Sequence, residues 1–134
     1  MNKEILKEPS DIARIPTSLT STSNNFFRLW LEFMRPLHNL SAKESDVLSF
    51  YLSKRFELSR SITDEELLNS VLFSMEVRKE LKETLNMSTS HVHVVLSKLK
   101  KVGILTKKGI NRKYIPKVKL DRDNYMLIFL FELK

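Results

Sequence analysis

Apolar side chains recur along this chain at the three- and four-residue spacing that lines one face of a helix. From about Asn25 to Arg35 the apolar set is Phe26, Phe27, Leu29, Trp30, Leu31, Phe33 and Met34, and only Arg28, Glu32 and Arg35 remain as a polar stripe. A helix this apolar needs cover on more than one side. Pro36 is expected to end it, because proline has no N–H for the helical ladder. Ser41-Ala42-Lys43-Glu44 has the spacing of a capping box and opens a second helix with Val47, Leu48, Tyr51 and Leu52 on one face. Thr63-Asp64-Glu65-Glu66 repeats that signal ahead of Leu67, Leu68, Val71, Leu72 and Met75. The pattern leaves open whether the chain breaks near Phe73-Ser74 or runs on to Leu85.

A helix from about Glu76 to Leu85 packs through Val77 and Leu81, and Asn86-Met87-Ser88 makes a turn in which Ser88 caps the next helix. That helix, about 89–102, buries Val92, Val95, Leu96, Leu99 and Val102 and ends at Gly103, which supplies a positive φ. Then Ile104 to Lys108 reads as a strand, Gly109-Ile110-Asn111 as a turn, and Arg112 to Val118 as a returning strand. Tyr125 to Phe131 is apolar at every position, the pattern of a strand covered on both faces. Residues 1–25 are interrupted by Pro9 and Pro16 and carry a hydroxyl-rich tract, so they read as an extended arm. The expected fold class is mostly α with a small antiparallel sheet, divided into an arm over 1–25 and one domain over 26–134.

Charge changes the picture more than composition does. The chain has 134 residues with 23 Lys+Arg against 16 Asp+Glu. Between Glu83 and Asp121 there is no acid, while Lys98, Lys100, Lys101, Lys107, Lys108, Arg112, Lys113, Lys117 and Lys119 fall in that window. The remainder therefore sets 14 of the 23 cations against all 16 acids, so the excess positive charge belongs to one stretch. A patch of one sign on an otherwise near-neutral protein suits a polyanion. A solvated lysine-rich face is the plainer alternative.

Helix, three-residue turn, helix and basic hairpin succeed one another in the winged helix-turn-helix order. Glu80-Leu81-Lys82-Glu83-Thr84-Leu85-Asn86-Met87-Ser88-Thr89-Ser90, with Leu99-Lys100-Lys101-Val102-Gly103-Ile104-Leu105, resembles the pattern of bacterial and phage winged-helix regulators and plasmid replication initiators. Ile110-Asn111-Arg112-Lys113-Tyr114-Ile115-Pro116 is similar to a wing strand of replication-initiator-like phage proteins, except that Arg112 stands where a proline often follows the asparagine. The resemblance covers about a third of the chain. It implies a DNA-binding transcription or replication regulator of phage or plasmid kind.

On a helical wheel of roughly 100° per residue, the face opposite the buried stripe holds Ser90, Val94, Ser97 and Lys101, flanked by His91, His93, Lys98 and Lys100. With Ser88 and Thr89 at the helix start, these side chains would enter the major groove of double-stranded DNA. Serine hydroxyls serve several base edges and Val94 suits a thymine methyl. Lys98, Lys101, Lys107, Lys108, Arg112 and Lys113 suit phosphates. The face lacks Arg, Asn and Gln, the bidentate base readers, so strong backbone attraction with modest sequence specificity is expected.

A second reading draws on the apolar positions. Phe26, Phe27, Trp30, Phe33, Phe129 and Phe131 are expected at a self-association or partner interface, or else in an intramolecular core layer. An interface would suit a homo-oligomer, or a phage virion component such as a portal-associated ring or head-tail connector protein that uses the winged helix for assembly.

Other chemistries find little support. The chain has no cysteine, which excludes disulfides and thiol catalysis and suits a reducing cytoplasm. No signal-peptide pattern opens it and no apolar run is long enough to cross a bilayer. The expected location is cytoplasmic, or the virion under the second reading. His91 and His93, two apart on a helix, diverge by about 200° and cannot chelate one metal. Asp121-Arg122-Asp123-Asn124 lacks the glycine and distal glutamate of a calcium loop. With two glycines, Gly103 and Gly109, there is no phosphate-cradling loop. Neither an enzyme nor a cofactor is expected.

Overall fold

The computed structural model describes residues 25–117 together with 132 and 133. Residues 1–24 of the expected arm lie outside the described residues, as do the strand read over 125–131 and its Phe129 and Phe131. Among the described residues, six helices precede a two-stranded hairpin: α1 (Phe26–Phe33), α2 (Arg35–His38), α3 (Ala42–Ser59), α4 (Glu65–Leu72), α5 (Met75–Leu85) and α6 (Thr89–Lys101). The antiparallel strands β1 (Leu105–Thr106) and β2 (Gly109–Ile110) come next, and a 3-10 turn (Arg112–Tyr114) after them. The described fold is mostly helical with one small antiparallel sheet.

Local chemistry explains most boundaries, and it corrects several. The first helix does not run to Arg35. It closes at Phe33 with Met34 as the junction, and Pro36 falls in the first turn of α2, where its missing N–H costs nothing. Left-handed Asn39 (φ 52°) ends α2. The buried His38 bridges this corner, its Nε2 donating to the Leu31 carbonyl at 2.7 Å and its Nδ1 accepting from the Leu40 N–H at 2.9 Å. One donor and one acceptor define the neutral imidazole with the proton on Nε2.

Ser41 and Glu44 make the full capping box at the start of α3. The signal at Thr63 is not realised in that way, since Asp64 is the N-cap of α4 and makes no side-chain cap bond. The chain does break at Phe73-Ser74, where the Ser74 hydroxyl accepts from the Val77 N–H at 3.4 Å and starts α5.

Helix α3 is the hub, touching α1, α4, α5 and α6. Its Val47, Leu48, Tyr51 and Leu52 join Leu31, Leu72, Leu81, Val92, Leu99 and Ile104 in one core. Burial pushes the Tyr51 hydroxyl above its ordinary range, against the opposing influence of the nearby Arg78 guanidinium.

Helix α1 finds its cover within the chain. Phe27 is 2% exposed and stacks edge-on with Phe26, so it is a core residue and not an interface residue of the folded chain. Trp30 is partly buried, and its indole N–H donates to the Tyr114 carbonyl at 3.1 Å. The polar stripe is consumed by ion pairs: Arg28 with Asp46 at 2.8 Å and with Glu32, and Arg35 with Glu32 at 3.3 Å. Phe33 alone of the four α1 candidates is exposed, at 38%.

Candidate functional site

Helix α5, the turn at Asn86-Met87-Ser88 and helix α6 form the frame of the site. Asn86 adopts the left-handed conformation (φ 51°) that stops α5. Met87 is buried, and the Ser88 hydroxyl accepts the His91 N–H at 3.1 Å to start α6. Ser88 thus shapes the helix start; its oxygen is also 3.5 Å from the Ser90 hydroxyl.

Along α6 the expected division of buried and exposed faces holds except at Val102. Val92, Val95, Leu96 and Leu99 are buried. Thr89, Ser90, His91, His93, Val94, Ser97, Lys98, Lys100 and Lys101 are exposed. Val94 stands out as an apolar side chain 63% exposed in the middle of that polar face. Val102 is the exception to the buried stripe: it caps the helix and is 50% exposed.

The helix ends as a Schellman motif. The Ile104 N–H bonds the Leu99 carbonyl at 3.0 Å and the Gly103 N–H bonds the Lys100 carbonyl at 3.1 Å, with Gly103 at φ 83°. Lys98, Lys100 and Lys101 occupy the last turn, where cations complement the helix dipole.

The basic hairpin sits directly beyond that turn, but it is shorter than expected. Leu105 pairs with Ile110 and Thr106 with Gly109, which leaves Lys107 and Lys108 as the tip. The turn is therefore at Lys107-Lys108, not at Gly109-Ile110-Asn111. A type I′ turn needs positive φ at both tip residues. Here the positive φ falls on Gly109 (104°) instead. The Thr106 hydroxyl closes the loop, accepting from the Lys108 N–H at 3.2 Å and donating to the Gly109 carbonyl at 3.1 Å.

The returning strand expected over Arg112 to Val118 is also corrected as far as Lys117, through Asn111; Val118 lies outside the described residues. Its backbone N–H bonds the Ile104 carbonyl at 2.8 Å and its side-chain amide donates to the Gly103 carbonyl at 3.2 Å. Its side-chain oxygen accepts from the Lys113 N–H at 3.2 Å, which folds the chain into the 3-10 turn. One asparagine thus seats the hairpin on the C-terminal end of α6.

The six expected phosphate ligands are not equivalent. Lys98 is 3.1 Å from Glu44, so it is engaged by a carboxylate on α3. Burial pushes the Glu44 carboxyl up, but the Ser41 backbone N–H and Lys98 outweigh it and hold the carboxyl below its usual range. Arg112, 86% exposed, lies 3.8 Å from Glu65, which is already paired with Arg55 at 3.0 Å. Lys113 lies over the Tyr114 ring at 5.1 Å. Lys101, Lys107, Lys108 and Lys113, with Lys100 and Lys117, are exposed and have no carboxylate among the described residues within ion-pair distance.

Two anchors escaped sequence reasoning. Glu44 was legible as a cap, and nothing in the spacing links it to Lys98. Asn69 on α4 donates to the Lys108 carbonyl at 2.8 Å across 39 residues, a separation at which no periodic signal exists. Among the described residues no group of three or more His, Asp or Glu lies close enough to hold a metal ion, and no helix is long and apolar enough to cross a membrane. Comparison of the chain with protein-family models, with curated proteins and with solved structures finds no match.

Proposed function

We propose that the chain binds double-stranded DNA as a winged helix-turn-helix, with α6 as the recognition helix and the β1–β2 hairpin as the wing. The observation that carries this reading is the joined surface of α6 and the hairpin tip. It is exposed, acid-free from Ser88 to Lys117, and presents Lys101, Lys107, Lys108 and Lys113 without carboxylate partners among the described residues. Cations kept out of internal ion pairs carry full charge toward a phosphate backbone. The small side chains of Ser90, Ser97 and Val94 let the helix approach base edges closely. They offer single hydroxyls and one methyl contact where Arg, Asn or Gln would give bidentate bonds.

Binding is therefore dominated by the backbone, with sequence discrimination well below the roughly thousandfold at which specific regulators begin. The sequence resemblance to phage and plasmid regulators and replication initiators supports a regulator of that kind as the biological class. A short duplex and a base-shuffled counterpart, titrated by fluorescence anisotropy, test this. Both should bind, within about a hundredfold of each other, and the double variant Lys107→Ala, Lys108→Ala should bind both more weakly. Absence of duplex binding by the unsubstituted protein refutes the reading. Oligomeric or phage structural partners remain the second reading, and the internal packing of Phe27 and Trp30 removes part of its support.

A further inference from the structure

The hairpin is too small to hold its own position. Each strand has two residues, and an isolated two-stranded ribbon is marginal in water even when longer. Its base is fixed by Asn111 and by the buried Leu105 and Ile110, and Thr106 closes the loop on itself; the tip, which bears Lys107 and Lys108, is also attached to another helix.

That attachment is Asn69. Its side-chain amide donates to the Lys108 carbonyl at 2.8 Å, between the two lysine-bearing positions and Gly109. The contact is tight on the other side as well: a Cβ at Gly109 would lie 2.5 Å from Asn69 Oδ1. Glycine is favoured there by its φ of 104°, and any side chain would have to push the Asn69 amide aside. One helical turn earlier on the same α4 face, Glu65 reaches Arg112 just beyond the hairpin. Helix α4 therefore touches the hairpin region at its tip and just past its end. Neither Asn69 nor Glu65 lies in the basic stretch.

We infer that Asn69 is a positioning residue for nucleic-acid binding: it holds the hairpin tip so that Lys107 and Lys108 meet phosphates at the same time as α6 is engaged. This rests on the DNA-binding reading and goes beyond it, because it places part of the affinity in an uncharged side chain outside the basic surface. A lysine on a tethered tip contributes counterion release in full. On a loose tip the same lysine no longer meets its phosphate while α6 is engaged, so its counterion release is lost together with its share of the affinity.

The test is the dependence of duplex affinity on salt for the whole chain, Asn69→Ala and Asn69→Gln, with thermal melting of each. Each phosphate contact contributes about 0.9 to the slope of log affinity against log salt. Asn69→Ala should lower the slope by about one to two units and weaken binding at low salt by about tenfold or more. Its melting temperature should fall by only a few degrees, the cost of one exposed hydrogen bond, so the chain stays folded in the assay. Asn69→Gln, which retains the amide, should recover part of the slope. In the Asn69→Ala background, Lys107→Ala with Lys108→Ala should cost less than in the unsubstituted protein. An unchanged slope in Asn69→Ala, with the unsubstituted protein binding duplex normally, overturns the inference and leaves the DNA-binding reading standing. A protein that never binds duplex overturns both.

Discussion

At the level of single residues, the two sides of α6 predict opposite consequences for substitution. Leu96 and Leu99 are buried in the core that α6 shares with α3 and β1, so Leu96→Ala or Leu99→Ala should destabilise by about 2 to 5 kcal/mol. Val94→Ala and Ser97→Ala remove exposed atoms, so they should leave the melting temperature within a degree or two of the original while changing duplex affinity. The reverse pattern in thermal melts would mean that the helix is rotated.

Glu44 makes a prediction about pH. Its carboxyl is held below the ordinary value near 4.5 because the folded state favours the charged form through Ser41 and Lys98. Its contribution to stability is therefore complete above that value and is lost as pH falls through the lowered one. Urea denaturation at stepped acidic pH should show a steeper loss of stability in the natural chain than in Glu44→Gln. Parallel curves would mean that the Glu44–Lys98 pair adds nothing to stability. The sequence showed the inner and outer faces of α6 because a helix's burial pattern is local in sequence. It did not show that Lys98 is engaged, because the partner carboxylate is contributed by another helix.

At the level of elements, the helices were legible where an apolar stripe and a cap coincide, as at Ser41 and Ser88. They were less so where one signal had two outcomes. Pro36 ends one helix and also suits the first turn of the next, and Thr63 yields the cap position to Asp64. The hairpin was legible as a basic element between Gly103 and Pro116, but the position of its turn was not. Glycine signals a turn without saying which place in it the residue takes, and Gly109 comes just after a tip made by two lysines. The returning strand is lost to Asn111, whose side-chain bond to the Lys113 N–H competes with ladder pairing.

The two glycines separate the causes of constraint. Gly103→Ala meets open space and should cost only the left-handed backbone penalty, about 1 to 2 kcal/mol. Gly109→Ala carries the same penalty and must also displace Asn69, so it should cost about 1 kcal/mol more. Chemical denaturation of the two variants side by side measures the difference. Equal costs would mean that Asn69 yields freely.

At the level of the molecule, the helical bundle around α3 serves as a platform that turns one face of α6 and the hairpin outward. Apolar burial and ion pairs engage much of α1, α3 and α4 internally, while the acid-free stretch keeps most of its described cations without carboxylate partners. That asymmetry was visible in the sequence as a run without acids. What the structure adds is that the helix and hairpin parts of the run are neighbours, joined through Asn111. With Lys98 held by Glu44, about five cations rather than six are available to phosphates. Duplex affinity should then fall by roughly 500-fold between about 50 and 200 mM monovalent salt. Anisotropy titrations of the unsubstituted protein across that range are the decisive measurement: a steep linear fall of log affinity with log salt, with a slope near −4 to −5, is expected, whereas binding that is absent, or insensitive to salt, contradicts a phosphate-contacting helix and wing.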